Sequence, residues 1–168
     1  MTDGDRHADA IASLARQNEL SVGVAESLTC GKLAAELGAA ENASEWFRGS
    51  VVAYASDVKF DVLGVTPGPV VTPECARQMA SGAAKVLDAD AVVAVTGVGG
   101  PDPEEGHPPG TVYVAARVRG VDTDRRLQLA GDPPEVLAQT TTAALQILLD
   151  AIQTYVGEPA RDREPSEH

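Results

Sequence analysis

Ala91-Val92-Val93-Ala94-Val95-Thr96, running straight into Gly97-Val98-Gly99-Gly100-Pro101, decides the fold of this chain. The run is apolar without alternation and too short for a helix, so it reads as a strand buried on both faces. Upstream of it, Thr72-Pro73-Glu74 is a helix start, with a capping residue followed by proline, and that helix is predicted to reach Leu87. Downstream, a loop rich in Gly and Pro covers residues 97–110. Strands are then predicted over 111–118 and 124–130, joined through Gly120 and Asp122, and a final helix over 134–155. Toward the N-terminus, Ala8, Ile11, Ala12, Leu14 and Ala15 recur at helical spacing over 5–18. Residues 21–25 (SVGVA) read as a strand and 27–37 as a helix ending at Gly38. Residues 50–55 (SVVAYA) read as a second strand buried on both faces. Ser56 is expected to cap a short helix over 57–63 that stops at Gly64. Helices alternating with short apolar strands give an α/β fold, a three-layer α/β/α sandwich. The adjacent late strands imply a hairpin, so the sheet is expected to be mixed, mostly parallel. One domain is expected over 1–156, with 157–168 (GEPARDREPSEH) as a disordered acidic tail.

Composition narrows the function. The 168 residues hold 13 Lys and Arg against 25 Asp and Glu, a net charge of −12. Such a balance argues against a nucleic-acid surface and against docking on an anionic membrane. A 43% hydrophobic content excludes a disordered chain, and 4% aromatic content means a core of Val, Leu, Ile and Ala. No apolar run approaches the length of a membrane span. Cys30 and Cys75 have no metal-type spacing and are expected to be free thiols in a reducing cytoplasm. His7, His107 and His168 lie too far apart in sequence to suggest a metal site. The Ala-rich helices would suit a homo-oligomer or a monomer core equally.

Three loops each follow a predicted strand, where ligands of open α/β sheets bind. The first, Ala25-Glu26-Ser27-Leu28-Thr29-Cys30-Gly31, offers hydroxyls that either act on a ligand or cap a helix. In the second, Tyr54-Ala55-Ser56-Asp57-Val58-Lys59, the lysine is one of only Lys32, Lys59 and Lys85 in the chain. It is either a desolvated base or a solvated helix residue. The third, Thr96-Gly97-Val98-Gly99-Gly100-Pro101, is either a close backbone approach to a ligand or a plain turn; it lacks the P-loop lysine and the dinucleotide order of glycines.

Taken together and in order, these residues resemble the C-terminal domain of the competence- and damage-inducible protein CinA. The matching positions are Ala25-Glu26-Ser27-x-Thr29-x-Gly31, Tyr54-x-Ser56-x-x-Lys59, Leu63-Gly64-Val65 and Thr96-Gly97-x-x-Gly100-Pro101. Pro108-x-Gly110-Thr111-Val112-Tyr113 and Gly131-Asp132 follow, and the resemblance spans about residues 5–155. It implies an amidohydrolase that converts nicotinamide mononucleotide to nicotinic acid mononucleotide and ammonia, without metal or organic cofactor. It further implies a stand-alone form, without the N-terminal domain of longer members. Ser27 would be the nucleophile and Lys59 the base. Tyr54 would position one of them, and Thr29 would hydrogen-bond nearby. Gly31, Ser56, Thr96, Gly97, Gly99 and Gly100 are expected around the substrate, a small pyridine nucleotide, together with Cys30, which replaces a family Gly, and Arg48 as a candidate positive charge.

The sequence departs from the family pattern in its ligand-holding loops. Cys30 stands where the pattern has Gly, a strained choice if that position needs a positive φ. The 102–110 loop is acidic and proline-rich, with His107 where Lys is common. Pro133-Pro134 follow Gly131-Asp132, where the family commonly places an Arg suited to phosphate. Arg48 or Lys32 is the expected replacement. Two readings stay open: an active amidase, or a family fold serving as a non-catalytic binding or assembly module or acting on another amide.

Overall fold

The structure, a computed structural model, describes residues 1–159. Most of the tail expected over 157–168 lies outside the described residues. In chain order the elements are α1 (Asp3–Gln17), β1 (Val22–Glu26), α2 (Lys32–Gly38), α3 (Ala43–Trp46), β2 (Phe47–Val52) and α4 (Ser56–Leu63). They continue with α5 (Pro73–Leu87), β3 (Ala91–Gly97), β4 (Thr111–Val118), β5 (Val121–Gln128) and α6 (Pro133–Gly157). The strands form one sheet in the order β2-β1-β3-β4-β5. β1 runs parallel to both β2 and β3, whereas the β3–β4 and β4–β5 pairs are antiparallel. Four of the five strands thus point one way, and the sheet is mixed as expected.

Strand alternation sorts the core into two unequal faces. Val24, Val93, Val95 and Val114 point into one cluster with Ile11 of α1 and Leu145, Leu148 and Ile152 of α6. Ala25, Ala94 and Ala115 point to the other side, against Ala76, Met79, Ala80 and Ala83 of α5. Small residues on that side let α5 lie close to the sheet. Among the described residues no helix is long and apolar enough to cross a membrane.

Several boundaries differ from the sequence reading. The expected helix over 27–37 begins only at Lys32, because Cys30 (φ 48°) and Gly31 (φ 95°) are both left-handed and cannot continue a helical turn. The strand expected over 50–55 is β2, ending at Val52, and it is an edge strand with intermediate exposure, not a strand buried on both faces. Its apolar run faces one covered side only. Ser56 is the first residue of α4 and does not cap it; the cap position is Ala55. The hairpin turn is Arg119-Gly120, both at positive φ, which moves β5 back to Val121. Thr72 and Pro73 start α5 as read, and Gly64 ends α4 at φ 70°.

The parallel arrangement carries the three loops to one place. β2, β1 and β3 all end at the same sheet edge, so residues 27–31, 53–56 and 97–100 emerge together. α4 is held there by close packing on α5, where Gly82 lies against the Leu63 carbonyl and a Cβ would collide with that oxygen. Gly82→Ala should therefore destabilise the domain by about 1–3 kcal/mol, the usual range for overpacking. Urea unfolding of the two proteins measures it; an unchanged midpoint would remove Gly82 from this role.

Candidate active site

The first element of the site is a carboxylate at the end of an apolar strand. Glu26, the last residue of β1, is 0% exposed. Its Oε1 accepts hydrogen bonds from the Thr29 hydroxyl at 2.8 Å and from the Gly31 and Leu33 amides at 3.2 and 2.9 Å. Its Oε2 accepts from the Ala34 amide at 3.2 Å and the Ser50 hydroxyl at 2.8 Å. The carboxylate thus caps α2 from inside the protein, satisfying amides that would otherwise be unpaired at the helix start. It also ties β1 to its neighbour β2 and shapes the turn that follows. Thr29, expected to hydrogen-bond near the catalytic groups, is fully buried in this network, and the Gly31 amide is likewise used here. Neither lines the cavity described next.

That cavity has a volume of about 560 Å³ and opens at the sheet edge where the three loops meet. Of the residues singled out in the sequence, Ser27, Cys30, Ser56, Lys59, Thr96, Gly97, Gly99 and Gly100 line it. Ser27 is 7% exposed, and its hydroxyl has no hydrogen-bond partner among the described residues. Lys59 is 1% exposed, and its Nζ donates to the Ala53 and Tyr54 carbonyls at 2.7 and 3.0 Å. Burial lowers the Lys59 pKa below that of ordinary lysine, partly offset by the negative charges of Glu104 and Glu105. Desolvation also pushes the neighbouring Cys75 thiol up to about 11, leaving it a neutral thiol at neutral pH.

Other expected residues take different places. The Tyr54 side chain is 70% exposed at the cavity rim; only its backbone carbonyl holds Lys59. Arg48 is not at the cavity. It sits near the start of β2, the opposite end of the strand, and its Nε donates to the Leu87 carbonyl at 2.8 Å. Lys32 is exposed and does not line the cavity either. Thr96 lines the wall but is already engaged, its hydroxyl donating to the Val70 carbonyl at 2.8 Å.

Three acidic residues escaped the sequence reading. Glu26 is one; it stands in the matched Ala25-Glu26-Ser27 motif and closes the apolar run VGVAE, but neither signal gave it a role. Glu104 lines the cavity. The carboxylate of its neighbour Glu105 accepts from the Val70 and Val71 amides, at 2.7 Å to each, and thereby holds a second wall of the cavity. The amides of Leu28, Gly99 and Gly100 have no partner among the described residues. A free hydroxyl, an amine biased toward its neutral form and unpaired amides are the parts that nucleophilic attack on a carbonyl requires.

The fold and the site together define an open-sheet α/β domain with a polar pocket at the strand ends, without a dinucleotide or P-loop signature. The chain belongs to the CinA C-terminal domain family, whose pattern matches residues 4–152. A competence-damage inducible protein of Geobacillus kaustophilus is 41% identical over 139 residues, covering 79% of this chain and 33% of that protein. One from Halalkalibacterium halodurans is 33% identical over 153 residues, 88% of this chain and 36% of that one. The chain therefore spans about a third of the length of the curated relatives it matches. Among solved structures, a CinA superfamily protein of Escherichia coli superposes with a TM-score of 0.85 at 33% identity, covering 90% of this chain and 93% of that one. One from Klebsiella pneumoniae gives 0.86 at 28% identity, over 90% and 98%.

Two stability measurements test this geometry. Glu26→Gln turns an NH₂ toward donors that now meet an oxygen and should cost about 2–4 kcal/mol; a loss under 1 kcal/mol would mean that the cap is dispensable. For Lys59 the sign follows from proton binding. Between its folded pKa and 10.5 the unfolded chain holds more protons, so stability rises with pH across that window. The stability of Lys59→Met relative to wild type should accordingly fall as pH is raised toward 10.5. A pH-independent difference in denaturant melts would overturn the lowered pKa.

Proposed function

We propose that this domain is an amidohydrolase acting on the carboxamide of a pyridine nucleotide. Nicotinamide mononucleotide would be converted to nicotinic acid mononucleotide and ammonia. Family membership supports an amidase reading, and one observation carries it to residues: Lys59, nearly solvent-free, shares a cavity with the unpartnered Ser27 hydroxyl. Ser27 Oγ attacks the amide carbon while neutral Lys59 accepts its proton. The C–N bond then breaks, Lys59 returns the proton to the departing nitrogen, and ammonia leaves an acyl ester on Ser27. Water, deprotonated by Lys59, hydrolyses that ester and restores the Ser27 hydroxyl. The balance is amide plus water giving acid plus ammonia. The unpaired amides of Leu28, Gly99 and Gly100 are the donors available to the developing oxyanion. Thr29 acts at one remove, through Glu26, and Tyr54 through its carbonyl.

A second reading, a binding module without chemistry, draws on Cys30: it crowds the cavity mouth in a left-handed conformation that glycine adopts freely.

Ammonia release from nicotinamide mononucleotide separates the two. Wild type should release it, and Ser27→Ala should lose at least about a thousandfold in kcat. Lys59→Ala should lose about 10²–10⁴-fold. The rate should rise with pH and level off below the range of an ordinary lysine, because burial lowers the Lys59 pKa. Wild-type release no faster than Ser27→Ala would leave the binding module standing. Independently, Cys30→Gly should stabilise the fold by about 1 kcal/mol by removing left-handed strain; a lower melting temperature would contradict this.

A further inference from the structure

Residues 104–107 form a tight turn at the mouth of the cavity. Glu105 (φ 50°) and Gly106 (φ 77°) are both left-handed, the pairing of a two-residue turn, and Glu104 and His107 exchange backbone hydrogen bonds of 3.1 and 2.8 Å across it. The Glu105 carboxylate locks the turn to the opposite wall through the Val70 and Val71 amides. The His107 ring meets Tyr113 edge-on, with centroids 6.3 Å apart. Glu104 is thereby held on fixed backbone, with its side chain in the lining of the cavity. Glu26 and Glu105 spend their carboxylates on backbone amides. The Glu104 carboxylate accepts no hydrogen bond and joins no ion pair among the described residues.

Only two charged side chains line the cavity, Lys59 at its buried end and Glu104 at its exposed end. The charge of Glu104 reaches the Lys59 amine, raising its pKa against the effect of burial. A pyridine ring with a substituent on its nitrogen is a cation. With its carboxamide at Ser27, the ring extends toward the mouth. There a protonated Lys59 can only repel the ring charge, and Glu104 is the one lining group of opposite sign. We infer that Glu104 is a specificity-determining residue, pairing with the positive ring of an N-substituted pyridinium carboxamide and so disfavouring amides on a neutral ring. The kind of ligand is taken from the amidase reading, whereas the charge preference stands on the pinned, unpartnered carboxylate. Because Glu104 is exposed, water and salt screen the pair and its effect is a modest factor.

The probes are nicotinamide mononucleotide and its dihydro form, reduced at the ring. They share amide, sugar and phosphate, and only the oxidised ring is positively charged. Titrated calorimetrically into Ser27→Ala, which cannot consume them, the oxidised form should bind about fivefold tighter. Glu104→Gln in the same background should bring that ratio to about two or less, Glu104→Asp should retain part of it, and added salt should shrink it. Equal or tighter binding of the reduced form overturns the inference, as does a ratio that Glu104→Gln leaves unmoved. Ammonia release from the oxidised nucleotide by wild type keeps the two ideas apart. Release together with a ratio unmoved by Glu104→Gln leaves the amidase and removes the charge recognition. A ratio that collapses in Glu104→Gln, without release by wild type, leaves the charge recognition and removes the amidase. Binding of neither form removes the charge recognition.

Discussion

A carboxylate with no water around it must be surrounded by donors, and satisfying Glu26 organises this end of the protein. Its two oxygens collect five hydrogen bonds, from the turn after β1, from the first amides of α2 and from β2. An unpaired carboxylate in that position would cost several kcal/mol, so the surrounding backbone has little freedom. The turn between Glu26 and Lys32 therefore takes one shape, with two left-handed residues in a row. Ser27 is presented to the cavity as a by-product of that shape. The residue that positions Ser27 is not in the cavity at all.

Lys59 is placed by a separate device of the same kind. Its amine satisfies carbonyls at the end of β2, six and five residues back along its own chain. Gly64 stops α4, and Gly82 lets the end of that helix sit on α5. Ser27 and Lys59 thus reach the cavity from the segments that follow the neighbouring strands β1 and β2, each fixed by a polar side chain folded back on backbone. The third wall is assembled differently, by Glu105 gripping the Val70 and Val71 amides.

The layout of the sheet and the convergence of three loops were legible in sequence because they depend on period and on short apolar runs. Ser27, Lys59 and the glycines of 97–100 were legible because they follow strand ends. Three things were not. Side-chain direction at Arg48 depends on where β2 begins, and the run SVVAYA drew attention to the wrong end of the strand. The helix at 27–37 was placed too early because left-handed φ values at Cys30 and Gly31 override helical spacing. Glu26 stood inside a recognised motif, yet its role depends on five partners, one of them 24 residues away. The scarcity of cations, by contrast, was visible in Pro133-Pro134 and in the overall charge, and the cavity lining repeats it.

The way α4 is held has a thermodynamic consequence of its own. It is a two-turn helix beside an edge strand, with Val62 exposed on its outer side. Short, peripheral elements of this kind open locally at less free energy than the whole domain. Opening α4 would hydrate Lys59, and a hydrated lysine binds a proton more readily than the buried one. Proton uptake and fraying of α4 are therefore linked, each favouring the other. In hydrogen-exchange terms, α4 would behave as a small foldon whose protection fades on acidification while the β1–β3 core stays closed. Folding of α4 is then also what keeps the Lys59 pKa below that of an ordinary lysine.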